Sequence, residues 1–270
     1  MTTAHPSAGP GDEPSRDASW DPAQYAVYGD HRGRPFHDLL ARVPSERPGV
    51  VVDLGCGPGD LTLTLADRWP GAHVAGVDSS PEMLARARVV DSAGRVEWVE
   101  SAAETWDPTT HGALDVLVTN ATLQWVPTHL RLLPRWLEAL APGGVLAMQV
   151  PANFDAPSHR LMREVAARHP RADDLRAGLD RADAVARPET YAALLLAHTR
   201  EVDVWQTTYL QVLRAEPDGP HPVLGVLTDR AEREAFLAAY ESELEAAYPR
   251  RDGVVLFPFT RTFAVARVPR

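Results

Sequence analysis

Lysine is missing from this sequence altogether. Its 27 basic side chains are all arginines, set against 37 acidic ones, for a formal net charge of -10 in 270 residues. Such a chain lacks the clustered cations that a nucleic acid backbone requires, so nucleic acid is not an expected partner. Cysteine is nearly absent too: the lone Cys56 excludes disulfides within the chain and a cysteine metal cluster, and no metal is expected. No run of about 18 apolar residues occurs, so no membrane span is expected. The opening MTTAHPSAGPGDEPSRDAS has neither a basic start nor an apolar core. It does not read as a signal peptide, and a cytoplasmic protein is expected.

What the chain does have is apolar residue enough, 44% of the total, to bury a large core as one elaborated domain. Residues 1–19, rich in Pro, Gly, Ser and Asp, cannot offset their ordering entropy by burial and read as a disordered tail. Residues 20–270 read as the single domain. Phe36, Leu39, Leu40 and Val43 recur at helical spacing, which predicts a helix ahead of the first strand. Val50, Val51, Val52 and Leu54 predict a short buried strand. Leu61, Leu65, Ala66 and Trp69, stopped by Pro70 and Gly71, predict a helix, and HVAGVD a second strand ending in Asp78. Ser80 before Pro81 and Glu82 is a helix cap and first turn. VEWVES and LDVLVTN read as strands, HLRLLPRWLEAL as a helix, APGG as its terminator and VLAMQV as the next strand.

Strands alternating with helices at this spacing imply a parallel sheet covered on both faces, with ligands bound beyond the carboxyl ends of the strands. Past Val150 the pattern loosens into helices near 157–168, 188–198 and 229–247, a strand around VDVWQTTYL, and a final strand pair in VVLFPFTRTFAVARV. This last third reads as sheet edge plus helical cover.

The chain leaves its first strand through Gly55, Cys56, Gly57, Pro58 and Gly59, a stretch that permits a sharp turn and a close approach to a ligand. A dinucleotide fingerprint needs Gly or Ala where Asp60 stands, and the lysine of a phosphate-binding loop is missing. Asp53, just before the loop, repels phosphate and attracts an ammonium, so the expected ligand carries a cationic amino acid part. The plainer alternative is a tight strand-to-helix turn with no ligand.

DLGCGPG, with Asp78 closing the second strand, Asn120 after the fourth and LAPGG before the fifth, resembles the class I S-adenosylmethionine-dependent methyltransferases over roughly residues 45–150. The resemblance implies a Rossmann-like α/β fold: a doubly wound, mostly parallel seven-stranded sheet with an antiparallel last strand and a helical cover at about 151–250. It implies S-adenosyl-L-methionine as cofactor, its methionine part wrapped by Asp53, Gly55, Cys56, Gly57 and Gly59 and its ribose hydroxyls held by Asp78. Ser79, Met83, Asn120, Gln124 and Trp125 join the expected cofactor contacts. For Asp78 the plainer alternative is a helix-capping turn residue. Cys56, with glycine on both sides and no basic neighbour, is a small packing residue rather than a nucleophile.

WDPAQY, HRGRP, the SPEML that follows Ser79, NATLQWVP with His129, PSHRLMREVA, VDVWQTTYL and FPFTRTFAVA carry the likeness further, from Trp20 to near the C-terminus. Together they are similar to the trans-aconitate 2-methyltransferase family. That likeness implies methylation of one carboxylate of a small tricarboxylic acid to a monomethyl ester. The sequence departs from the family in two places. Ala102 stands where an Asp usually accepts from the adenine amino group, leaving backbone groups of Ala102 and Ala103, with Glu104 one turn away. The stretch near 221–230 is shortened, which loosens the acceptor assignment.

An ionised carboxylate, with a pKa near 4, attacks a sulfonium methyl without a general base, so no catalytic residue is expected beyond those that position the reactants. Arginine suits a tricarboxylate, being planar and bidentate. Arg32 and Arg261 are the candidate acceptor contacts, Arg261 because it stands among the aromatics of FPFTRTF, and Arg34 is a candidate partner for the cofactor carboxylate. Salt bridging or snorkelling is the bland alternative for these arginines. Trp125 and His129 are also expected to face the acceptor, and Tyr25 to be a lid contact; core packing for Trp125, helix packing for Tyr25 and a surface position for His129 are their alternatives. Three functional readings stand: a carboxyl O-methyltransferase acting on trans-aconitate, expected as a monomer; an O-methyltransferase of another small molecule, where a phenol would need His129 as base; and a non-catalytic cofactor-binding module.

Overall fold

The computed structural model describes residues 29–179, 184–214, 227 and 229–270. The expected tail 1–19, Tyr25 and most of the shortened stretch near 221–230 lie outside these residues.

A first helix, α1 (Gly29–Leu40), leads to β1 (Val50–Leu54), α2 (Asp60–Arg68), β2 (His73–Asp78), α3 (Pro81–Val90) and β3 (Val96–Glu100). A 3-10 turn (Pro108–His111) precedes β4 (Leu114–Asn120), and another (Leu123–Trp125) precedes α4 (His129–Glu138) and β5 (Leu140–Pro151). Then come α5 (Pro157–Ala167), α6 (Ala172–Leu179), α7 (Pro188–Leu196), β6 (Glu201–Arg214), α8 (Arg230–Ala247) and β7 (Val254–Arg267).

The seven strands form one sheet in the order β3-β2-β1-β4-β5-β7-β6, with β7 antiparallel to both neighbours and the other adjacent pairs parallel. The expected Rossmann-like α/β class is therefore the observed one. β1 carries apolar residues on both faces because both are covered. Val52 and Leu54 pack with Leu133, Trp136, Tyr191 and Leu195 from α4 and α7. Val51 packs with Phe36, Leu39 and Leu65 from α1 and α2. The chain winds outward from β1 to β3, then returns to place β4 on the other side of β1, so the switch point of the winding, where ligands of such sheets bind, falls between the carboxyl ends of β1 and β4.

Three local readings change. APGG does not stop the helix; it lies within β5, where the pairing with β4 slips between Leu114 and Val116 and Gly143 takes the bend at φ 81°. The final strand pair is a single strand, β7, whose partner is β6 along its whole length from Glu201↔Arg267 to Arg214↔Val254. Since β5 reaches only Pro151↔Arg261, the far halves of β6 and β7 extend past the sheet as a two-stranded arm. α6 has no counterpart in the sequence pattern; it packs with α5 and α8 around Leu161, Leu175, Phe236 and Tyr240. These helices meet the arm where Tyr248 lies against Phe257, ring centroids 5.1 Å apart.

Candidate active site

Gly55, Gly57 and Gly59 all adopt positive φ, at 81°, 57° and 87°. The close approach expected of this loop is made to the protein itself. A Cβ on Gly55 would lie 2.1 Å from Thr122 Oγ1, and one on Gly59 2.6 Å from the Trp98 ring. The loop's amides are also spent internally: Gly55 and Cys56 donate to Val77 O, Gly57 to Asp78 Oδ2 and Gly59 to Cys56 O. A phosphate cradle aims its N–H groups at the anion. This loop does not, which agrees with the missing fingerprint residues.

Two carboxylates flank it. Asp78, half-buried at the end of β2, accepts from Gly57 N–H at 2.8 Å through Oδ2 and from Ser80 N–H at 2.9 Å through Oδ1. Each oxygen keeps acceptor capacity beyond that single bond. The capping alternative falls to Ser80, whose Oγ accepts from Met83 N–H at 3.3 Å with Pro81 opening the helix. Asp53 is buried in β1 and accepts from Thr62 Oγ1 at 2.7 Å. Burial pushes its carboxyl up to about 7; the Thr62 hydrogen bond opposes the shift and the Asp78 charge adds to it. Burial and these same two carboxylates push the Cys56 thiol upward, so it stays protonated and packs, as expected.

Ser79 is exposed at the rim, and Met83 is buried beneath it in α3. Past β3, Ala102 O closes a turn with the N–H groups of Thr105 and Trp106, Ala103 is buried and Glu104 exposed. Asn120 ends β4 half-buried, followed by Ala121 at φ 54°, a strained value for a residue with a side chain. Gln124 Nε2 donates to Ala121 O at 2.5 Å, and Trp125 next to it is exposed.

Sequence reasoning missed the group that joins these residues to the arginine on β7. Gln149 in β5 is buried; its Nε2 donates to Asn120 Oδ1 at 2.6 Å and its Oε1 accepts from Arg261 Nη1 at 3.2 Å. The Arg261 guanidinium also lies over Phe259, 4.4 Å from the ring centroid. The available signal was one amide inside the otherwise apolar run VLAMQV. Arg34 is exposed on α1 with its guanidinium 5.1 Å from the Tyr209 ring centroid, and Tyr209 Oη donates to Asp38 at 2.6 Å. Arg32 lies on α1, and Tyr25 lies outside the described residues.

His129 is corrected outright. It is buried at the start of α4, with Nδ1 2.8 Å from Val126 O and Nε2 2.9 Å from Tyr191 Oη. The carbonyl only accepts, so Nδ1 carries the proton and Nε2 accepts from the tyrosine, which itself accepts from Ala186 N–H. Both ring nitrogens are committed, and burial lowers the ring's pKa.

At the opposite edge of the sheet His73, Glu97 and His111 converge, with Glu97 Oε2 2.9 Å from His73 Nε2 and 3.3 Å from His111 Nδ1. A metal on His111 Nδ1 would force a proton onto Nε2, which is buried without a hydrogen-bond partner. No second partner therefore fixes the His111 tautomer that ligation through Nδ1 would require.

Among known proteins, the methyltransferase domain family matches residues 51–144. The chain is 48% identical to the trans-aconitate 2-methyltransferase of Streptomyces coelicolor, over 95% of this chain and 89% of that one. It is 48% identical to the Streptomyces avermitilis enzyme of the same name, over 94% and 98% of the two chains. A third relative so named, from an Azoarcus species, is 46% identical over 92% and 98%. Solved structures sharing the fold include the phosphoethanolamine N-methyltransferase 2 of Haemonchus contortus with S-adenosyl-L-methionine, at TM-score 0.55 and 17% identity over 92% of this chain and 56% of that one. The plantazolicin methyltransferase BpumL is another, at TM-score 0.51 and 17% identity over 93% and 92%.

Proposed function

Because the chain belongs to the trans-aconitate 2-methyltransferase family, whose members here share 46% to 48% identity over more than nine-tenths of it, we propose that this S-adenosylmethionine-dependent enzyme methylates one carboxylate of trans-aconitate. The product is a monomethyl ester. The structural observation that carries this reading is Arg261, a guanidinium at the carboxyl edge of the sheet held by the neutral amide of Gln149.

When bound, the cofactor supplies an activated sulfonium methyl that a carboxylate oxygen takes by in-line displacement. The chain's residues position and desolvate. Asp78, oriented by Gly57 and Ser80, offers its remaining lone pairs to the ribose hydroxyls. Asp53 and the carbonyls of the Gly55–Gly59 loop face the ammonium side, with Arg34 toward the cofactor carboxylate and Ala102 and Ala103 along the adenine. Ser79, Met83, Asn120 and Gln124 complete that lining, and Tyr25 remains the expected lid contact from the sequence alone. Arg261, with Arg32, takes the acceptor's other carboxylates as bidentate partners. Trp125, exposed beside Asn120, shields the reacting pair from water. The catalytic unit in this reading is residues 20–270, acting as a cytoplasmic monomer.

A phenolic acceptor would need a base near its hydroxyl, and the burial of His129 removes the one candidate the sequence offered. A carboxylate acceptor needs none. Mass spectrometry after incubation with methyl-labelled cofactor and a panel of di- and tricarboxylic acids tests the proposal. A labelled monomethyl ester of trans-aconitate is expected; label on none of the acids would refute it.

A further inference from the structure

We infer that Tyr209 is a positioning residue of the cofactor site: its ring carries the Arg34 guanidinium and its hydroxyl draws Asp38 away from it, so that Arg34 is held for a ligand carboxylate. The inference rests on the reading given above, in which Arg34 meets the carboxylate of the cofactor's methionine part.

The attachment has two points on one face of α1. Arg34 and Asp38 are one helical turn apart, so their side chains lie one above the other. The Arg34 guanidinium is 5.1 Å from the centroid of the Tyr209 ring, and Asp38 Oδ2 accepts from Tyr209 Oη at 2.6 Å. A single side chain of β6 thus fixes both the rotation of α1 about its axis and the place of its arginine. The ring can serve as a platform because it is itself held: Tyr209 is buried and packs on Phe263, ring centroids 6.5 Å apart. Burial, and then the bond to Asp38, push its ionisation upward, so the hydroxyl keeps the proton it donates.

The hydroxyl does more than anchor. Elsewhere on the helices of this chain, an arginine followed one turn later by an acid pairs with it: Arg160 with Glu164 at 2.9 Å in α5, and Arg230 with Glu234 at 2.8 Å in α8. Arg34 and Asp38 have the same order and spacing, yet among the described residues Arg34 forms no ion pair and lies over the tyrosine ring instead. The acid that would capture it is occupied by the Tyr209 hydroxyl. Position completes the case. Thr207 pairs with Arg261, and Arg261 with Pro151 at the end of β5. Tyr209, further along β6, therefore stands beyond the carboxyl ends of the parallel strands, where ligands of such sheets bind. Gly33, beside Arg34, faces the start of α2, since a Cβ there would lie 3.8 Å from Leu61 Cδ2. Leu61 follows directly on the turn from Gly55 to Asp60, so the first turns of α1 and the exit of the glycine loop are neighbours.

Calorimetry with two probes tests this: S-adenosylhomocysteine, which carries the amino acid carboxylate, and methylthioadenosine, which has the same nucleoside and a thioether but no carboxylate. Tyr209→Leu removes both ring and hydroxyl. It is expected to weaken S-adenosylhomocysteine at least about fivefold and methylthioadenosine less than about twofold, and to add nothing in an Arg34→Met background. Tyr209→Phe combined with Asp38→Asn keeps the ring and removes the competing acid, so it should bind S-adenosylhomocysteine within about twofold of wild type. A smaller loss in Tyr209→Leu, equal losses for the two probes, full additivity with Arg34→Met, or a double variant as weak as Tyr209→Leu overturns the inference. Wild type that binds neither probe sinks the reading of the site instead. The nuclear magnetic resonance spectrum of wild type gives an independent check that needs no folded variant. The Arg34 side-chain signals should shift on adding S-adenosylhomocysteine and stay in place with methylthioadenosine, and an equal response to both overturns the inference.

Discussion

Asp78 and Gly57 are joined by a 2.8 Å hydrogen bond from the loop amide to the carboxylate, so the acid closing β2 holds the shape of the turn leaving β1. The same oxygens are the expected grip on the cofactor ribose. In the proposed reading, structure and binding are served by one side chain.

Asp78→Ala should abolish cofactor binding. It removes two charge-assisted acceptors for the ribose, each worth about 1.5–3 kcal/mol, and frees Gly57 N–H. Titration with S-adenosylhomocysteine is expected to show at least a hundredfold loss of affinity, and unchanged affinity would remove Asp78 from the site. Asp78→Asn keeps one acceptor oxygen and should fall between the two.

Asp53 predicts a pH signature with a definite sign. Its folded pKa of about 7 lies above the ordinary 3.8, so between those values the folded state keeps a proton that the unfolded chain has lost. Stability contributed by this group is full below about 4 and declines as pH rises to 7, by at most ~4 kcal/mol. Asp53→Asn keeps an acceptor for Thr62 and cannot ionise. Urea unfolding should find the variant relatively more stable at pH 7.5 than at pH 4.5 when each is compared with wild type. A difference that does not change with pH would show that the Asp53 environment is not as dry as its burial indicates.

Much of this site was readable before any fold was known, because its determinants are local. The glycines, Asp78 and the Ser80-Pro81 cap lie in one continuous stretch and state their geometry through backbone requirements. What the chain could not show is what only packing creates. His129 looked available because it precedes a helix, but Tyr191, 62 residues later, captures its Nε2. Gln149 looked like one residue of a buried strand until β4 and β7 were set on either side of it. Arg261 was visible through its aromatic neighbours, and its partner was not. The APGG segment misled because glycine and proline signal helix ends and strand bulges alike.

His129→Phe should lower stability without changing the chemistry. It removes the bonds to Val126 and Tyr191 and leaves a tyrosine hydroxyl, whose own ionisation burial pushes up to about 12, without its acceptor. A loss of about 2–3 kcal/mol in denaturant unfolding is expected, with kcat and its pH profile unchanged at a temperature where the variant is folded. Loss of the acidic limb of the pH profile, the limb a titrating base produces, would restore His129 as a catalytic base.

Arg261→Ala should raise the acceptor KM at least tenfold while cofactor affinity stays within threefold of wild type, because a bidentate arginine–carboxylate pair contributes roughly 1.5–3 kcal/mol. Steady-state kinetics with trans-aconitate, paired with calorimetry, checks both halves. Equal KM values in the two proteins would take Arg261 out of the acceptor pocket.

Gly55→Ala tests whether the loop owes its shape to the ligand or to the protein. At φ 81° an alanine is strained by about 1–2 kcal/mol. Its Cβ would also lie 2.1 Å from Thr122 Oγ1 and 2.6 Å from Thr122 Cβ, an overlap that side-chain rotation cannot relieve. Destabilisation of at least about 3 kcal/mol in urea is expected without any cofactor present. Adding Thr122→Gly should recover the steric part and leave the backbone strain. Gly71→Ala is the control: no heavy atom lies within 4 Å of where its new Cβ would stand and its φ is not positive, so stability should change by less than ~1 kcal/mol. If Gly55→Ala were as stable as wild type and failed only in binding, the glycine would serve the ligand, and the contact with Thr122 would not be what dictates it.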